Sequence, residues 1–118
     1  WVPVTKKKLS NNYNAGVGDI AMVTIYRIVN WCNVRCYVGQ TAGDVDYRFR
    51  KHCKANSVIG RAIRQYGVEN FTVEVLEVCA DDVANDREQF WIRHFDCFVP
   101  NGYNVSRQGH FPKPKKRR

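Results

Sequence analysis

Three groups of residues place polar chemistry where packing residues belong. Along Asp81 to His94 the spacing Ala84, Glu88, Trp91, Ile92, Phe95 puts one carboxylate into an apolar helical stripe. An ionised group there is costly unless a cation or hydrogen-bond donors meet it. Glu88 therefore calls for a partner, either a bound cation or an ion pair with Arg87 or another arginine at the stripe edge. Arg48 and His52, four residues apart and beside Phe49 and Cys53, bring a fixed cation and a titratable imidazole to one helix face, a pair suited to phosphate. Arg50, Lys51, Lys54, Arg61 and Arg64 surround them in sequence, as on a surface that tracks a nucleic-acid backbone, although a solvated basic helix has the same pattern. Tyr26 and Tyr37 fall on two β-rich runs at positions that can pair across a ladder near Gly39; cross-strand aromatic packing alone would also produce this.

The elements that must position these groups follow from patterning. Met22 to Val29 is β-branched and aromatic and predicts a strand, Arg35 to Gly39 predicts its hairpin partner, and Asn30 and Asn33 lie in the turn between them. Asp44 caps a helix through Val45, Phe49, His52 and Cys53. Asn56 or Ser57 caps a second helix through Ile59, Ala62, Ile63 and Tyr66, which Gly67 ends. Phe71 to Val78 alternates as a third strand with a hitch near Leu76. The longest helix runs from Asp81 or Asp82 to about His94, with Val83, Phe90, Trp91 and Phe95 expected toward a core. This hairpin-first order predicts a mixed α/β domain on a small, at least partly antiparallel sheet, and not a doubly wound nucleotide fold.

A chain of 118 residues, 44% apolar and 13% aromatic, suits one compact domain. We expect a polar, basic arm over 1–20, the domain over 21–106, and a basic, unpacked tail over 107–118. The net charge of +8 sits in the arms: within the body, residues 21–66 carry eight basic and two acidic groups, and residues 67–104 carry two basic and eight acidic ones. A basic half suits a polyanion and an acidic half can hold a divalent cation against it, while solvated charge is the plain alternative. Neither a membrane span nor a signal peptide fits the sequence, and an opening Trp1 points to a processed product or part of a longer chain. Cys32, Cys36, Cys53, Cys79 and Cys97 are odd in number and irregularly spaced, which favours free thiols in a reducing, intracellular compartment. Cys32-x-x-x-Cys36 followed by His52-Cys53 lacks the second close pair of a zinc site.

Thr24-Ile25-Tyr26, Tyr37-Val38-Gly39, Arg48-Phe49-x-x-His52, Arg87-Glu88-x-Phe90-Trp91-Ile92 and Asn101-Gly102-Tyr103-Asn104 occur in this order, and together they resemble the GIY-YIG nuclease domain over about residues 22–106. Thr24 stands where that family usually has its first glycine, and Val38 where isoleucine is usual. The resemblance implies an α+β fold, a three-stranded antiparallel sheet flanked by helices, and a hydrolase that cuts DNA phosphodiester bonds with Mg²⁺ or Mn²⁺. It makes Tyr26 the general base or the orienter of the attacking water, Arg48 the stabiliser of the phosphorane, and Glu88 the metal ligand. Tyr37 and His52 become supporting site groups, and Asn104 a brace from the final turn. A phenol is a poor base at neutral pH, so Tyr26 would need a nearby cation or metal-bound hydroxide to lower its proton affinity, and Arg48 is suited to be that cation.

Homing or other mobile-element origin is the favoured reading. The alternatives are a restriction, repair or structure-selective nuclease, a non-cutting nucleic-acid-binding module, or an interaction domain with a basic tail. Target choice would come from loops, arms, a homodimer partner or an additional DNA-recognition domain. Lys113, Lys115, Lys116, Arg117 and Arg118 resemble a nuclear localisation signal and equally a phosphate-binding arm.

Overall fold

A computed structural model describes residues 21–105. The expected arm and the basic tail, with Lys113, Lys115, Lys116, Arg117 and Arg118, lie outside the described residues. Met22–Asn30 (β1), Cys36–Thr41 (β2) and Phe71–Ala80 (β3) form an antiparallel sheet in the order β2-β1-β3. Val45–Lys54 (α1), Val58–Tyr66 (α2) and Ala84–Phe95 (α3) flank it.

β1 is central because both its faces are apolar. Tyr26 and Ile28 pack with Phe49, Ile59, Ala62, Ile63 and Val73 under α1 and α2, while Val23, Ile25 and Val29 pack with Val38, Ala84 and Ile92 under α3. The hydrophobic groups thus sit in two cores separated by the sheet, and burial of these apolar faces is what holds the helices in place. Local chemistry sets the helix ends: the Asp44 carboxylate accepts from Tyr47 N at 2.9 Å, and Ser57, rather than Asn56, accepts from Gly60 N at 3.1 Å. Gly67 closes α2 at φ 97°, a conformation that favours glycine.

Two expectations change here. α3 starts at Ala84, after a 3₁₀ turn over Asp81–Val83, and its buried stripe is Ala84, Glu88 and Ile92. Val83 therefore precedes the helix, and Phe90 lies two residues, about 200°, round from Glu88; they are 42% and 45% exposed rather than in the core. Tyr26 and Tyr37 are not directly opposite: Tyr26 pairs with Gly39 and Tyr37 with Ile28, so the phenols are diagonal neighbours on one face. The hitch at Leu76 is a bulge. Tyr26 pairs with Val75 and Ile25 with Glu77, leaving Leu76 as an extra residue.

β2 is an edge strand, and the final turn covers its outer side. Tyr103 N donates to Cys36 O at 3.0 Å, and the Asn104 side chain takes both polar groups of Val38, with Oδ1 accepting from Val38 N and Nδ2 donating to Val38 O, each at 2.9 Å. One amide thus does the work of a partner strand's peptide. Among the described residues no helix is long and apolar enough to cross a membrane.

Candidate active site

The elements around β2 bring Tyr37, Arg48, His52, Glu88, Tyr103 and Asn104 into the lining of one pocket of about 450 Å³. α1 contributes Arg48 and His52 one turn apart, α3 contributes Glu88 from its buried stripe, β2 contributes Tyr37, the final turn contributes Tyr103 and Asn104, and the start of α2 closes the pocket with Val58 and Ile59. Tyr26 lies just behind this wall. Its hydroxyl is 2.8 Å from His52 Nε2, and the Tyr37 ring meets the His52 ring edge-on with centroids 5.0 Å apart.

Burial governs the protonation of these groups. It holds the His52 imidazole down to about 4, with the Arg48 charge acting the same way, so His52 is neutral at pH 7. Neutral Nε2 can then accept from the Tyr26 hydroxyl. The Tyr26 phenol is pushed well up by burial and then by Tyr37; Arg48 pulls it down, as expected from its charge, but does not prevail. Tyr37 rises for the same first reason, then through Glu88. The resting pair is therefore a protonated phenol against a neutral imidazole. Arg48 acts on Tyr26 in the expected direction, and burial outweighs it.

Glu88 is 7% exposed, and burial raises its carboxyl, opposed by a hydrogen bond from Gln40. Gln40 Nε2 donates to Glu88 Oε1 at 3.0 Å and to Asn85 Oδ1 at 2.9 Å. Arg87 does not partner Glu88: its Nε donates to both Glu77 oxygens at 2.9 Å, and Trp91 Nε1 donates to Glu77 Oε1 at 2.8 Å. Gln40 and Glu77 thus hold α3 to the sheet from the two edge strands. Sequence reading missed both. The available signal for Gln40 was its place directly after Gly39, at the strand end where the Glu88 stripe has to dock.

The basic residues surround the pocket without filling it. Arg50, Lys51, Lys54, Arg61 and Arg64 are all exposed, and Lys51 reaches the pocket rim. Arg50 and Lys51 lie 5.9 and 5.6 Å from the centroid of the exposed Tyr47 ring. Arg64 Nη1 donates to Cys53 O and Ala55 O, each at 3.0 Å, and so caps the end of α1; Arg61 Nη1 donates to Asn56 Oδ1 at 3.2 Å.

Residues 22–104 match the GIY-YIG catalytic domain, and the chain belongs to that family. It carries a GIY-YIG nuclease domain. Among solved structures it is similar to the catalytic domain of the homing endonuclease I-TevI, at 29% identity and a TM-score of 0.61, over 71% of this chain and 98% of that one. A mutant of the same domain, described as that of an intron endonuclease, gives 29% identity and a TM-score of 0.62 over 72% and 94%. No curated protein sequence matches the chain.

Proposed function

We propose that this is the catalytic domain of a divalent-metal-dependent DNA endonuclease of homing or other mobile-element type. The supporting observation is a single pocket where an arginine, a neutral histidine and a buried carboxylate converge from α1 and α3 beside β2. The intron and homing endonucleases among its structural neighbours support the mobile-element part.

The residues fit Mg²⁺ or Mn²⁺. Glu88 is the acidic residue lining the pocket, and burial disfavours its charge, a cost that a cation relieves. Among the described residues no group of three or more ligating side chains exists, but Mg²⁺ keeps several waters and takes phosphate oxygens, so one carboxylate is enough. Glu88 would hold the ion, which when bound supplies Lewis-acid stabilisation to the phosphate and the leaving oxygen.

The chain's own groups do the remainder. Arg48 sets a fixed positive charge against the phosphoryl oxygens as they gain charge. The Tyr26–His52 pair is the base: the Tyr26 oxygen takes a proton from the attacking water as its own passes to His52 Nε2, 2.8 Å away. This route avoids a free phenolate, which burial makes unfavourable. Tyr37 packs on His52 and fixes its ring, and Asn104 fixes β2 through Val38. Arg50, Lys51, Lys54, Arg61 and Arg64, with the basic tail, would meet DNA phosphates.

The test is conversion of supercoiled plasmid by the purified chain with Mg²⁺, with EDTA, and with Glu88→Ala. Nicked or linear product that appears only with metal, and is lost in the variant, is expected. Binding without cutting by the folded, metal-supplied chain would overturn the proposal.

A further inference from the structure

Two of the five cysteines form a feature that phosphodiester chemistry does not use. Cys36, at the start of β2, and Cys97, just past α3, are 61 residues apart in sequence, yet their sulfurs are 2.8 Å apart. Both are buried, at 5% and 0% exposure, whereas Cys32 is exposed. Backbone bonds on either side hold the pair face to face: Tyr103 N donates to Cys36 O at 3.0 Å, Asn104 N to Cys97 O at 2.7 Å, and Cys97 N to Ile92 O at 2.9 Å.

The two thiols are unequal. The contact with Cys97 lowers the Cys36 thiol, burial opposes this, and the Arg27 guanidinium lowers it further. The same contact and burial push Cys97 up, so Cys36 is the more acidic thiol of the two. Arg27 is fixed by its ion pair with Glu74 at 2.5 Å and lies 4.0 Å over the Phe95 ring, and its Nε is buried without a hydrogen-bond partner. A thiol in contact with a second thiol and near a guanidinium is an arrangement in which an oxidised sulfur meets its resolving partner at once.

We propose that Cys36 and Cys97 are a peroxide-oxidisable dithiol whose disulfide ties β2 to the segment carrying Tyr103 and Asn104. The Cys36 thiolate attacks one oxygen of hydrogen peroxide and the O–O bond breaks. This gives a sulfenic acid and hydroxide, which takes up the proton Cys36 released. The Cys97 sulfur then attacks the Cys36 sulfur, and the hydroxyl leaves with the Cys97 proton as a second water. Two thiols and one peroxide thus become one disulfide and two waters, the sulfurs losing the two electrons the peroxide gains. The closed loop contains α1, α2, β3 and α3, and a cross-link over so long a loop strongly restricts the unfolded chain. The proposal is independent of the nuclease assignment.

The reduced full chain, freed of reductant, is exposed to a small excess of hydrogen peroxide, alkylated with iodoacetamide, and mapped by mass spectrometry without reduction, with thermal melts alongside. A peptide pair joined through Cys36 and Cys97, lighter by two hydrogens, is expected, with Tm raised by about 5 °C or more and restored by dithiothreitol. Cys32→Ser should behave in the same way. Cys97→Ser should leave a dimedone-reactive sulfenic acid at Cys36 and show no rise in Tm. Recovery of Cys36 and Cys97 both alkylated while Cys32 is oxidised or bridges two chains would overturn the proposal, as would a Cys36–Cys97 bond without a gain in Tm. The map of the unmutated chain decides the matter even if Cys97→Ser folds poorly.

Discussion

Gly39 lies directly across the β1–β2 ladder from Tyr26, and a methyl group there would sit 2.6 Å from the Tyr26 hydroxyl oxygen and 2.9 Å from Tyr37 Cε2. The missing side chain is the space into which both rings fold. Gly39→Ala should push the rings off His52, cost about 1–3 kcal/mol of stability, and lower plasmid cleavage at least about tenfold. Urea unfolding and cleavage rates measure the two effects. If both stay at wild-type levels, the rings are not held in this arrangement.

His52 makes stability depend on pH with a definite sign. Its folded value of about 4 lies below the ordinary 6.5, so between these the unfolded chain binds a proton that the folded chain refuses. Its contribution is complete above about pH 6.5 and declines as pH falls toward 4, by about 3 kcal/mol in all. His52→Gln should flatten that decline in unfolding curves taken at successive pH values. Parallel curves for the two proteins would assign the pH dependence to other groups.

Glu88 carries the opposite sign, because its buried carboxyl is raised and its charged form is the unfavourable one in the fold. Glu88→Gln keeps an oxygen for Gln40 and removes the charge, so at pH 7 Tm should hold or rise while cleavage falls at least about a hundredfold. A collapse of Tm would make the carboxylate an anchor of α3 instead of a site for an ion.

Asn104 is tested by a one-atom change. Asn104→Asp preserves size and the acceptor for Val38 N but replaces the donor to Val38 O with a second acceptor. A loss of about 2–3 kcal/mol is expected from two facing acceptors in a buried place, with Asn104→Ser milder. Equal stability of Asn104→Asp and wild type in chemical unfolding would exclude this role for the amide.

Much of this fold was legible because local chemistry and distant packing agree. The β-branched run from Val23 to Val29 needs burial on both faces and receives it, and Asp44, Ser57 and Gly67 end their helices by short-range bonds or backbone freedom. The motif order brought together Tyr37, Arg48, His52, Glu88 and Asn104, far apart in sequence, which line one pocket in the fold. What escaped depends on contacts across the sequence. Phe90 reads as a core residue because α3 carries aromatics on more than one face, and only docking selects Ala84, Glu88 and Ile92. Arg87 is next to Glu88 in sequence but points to Glu77. Arg48 lowers the proton affinity of the Tyr26 phenol as its charge predicts, but the burial that raises it comes from packing that sequence spacing does not carry. Nothing in the spacing of Cys36 and Cys97 indicates that they touch.

The bulge at Leu76 marks the place on β3 where this lineage can lose a residue and keep its pairing. Glu74 and Glu77 are three residues apart, yet they pair with Arg27 and Ile25, two residues apart on β1 and so on one face of the sheet. A regular strand would turn one of them over. Excising residue 76 would leave Glu74 opposite Arg27 and Glu77 opposite Ile25 in an unbroken ladder, with Glu77 still the shared acceptor of Arg87 and Trp91, whereas excising a regularly paired residue would turn part of β3 over. Descendants of this sequence can shed the backbone unit at this position more readily than its regularly paired neighbours on β3.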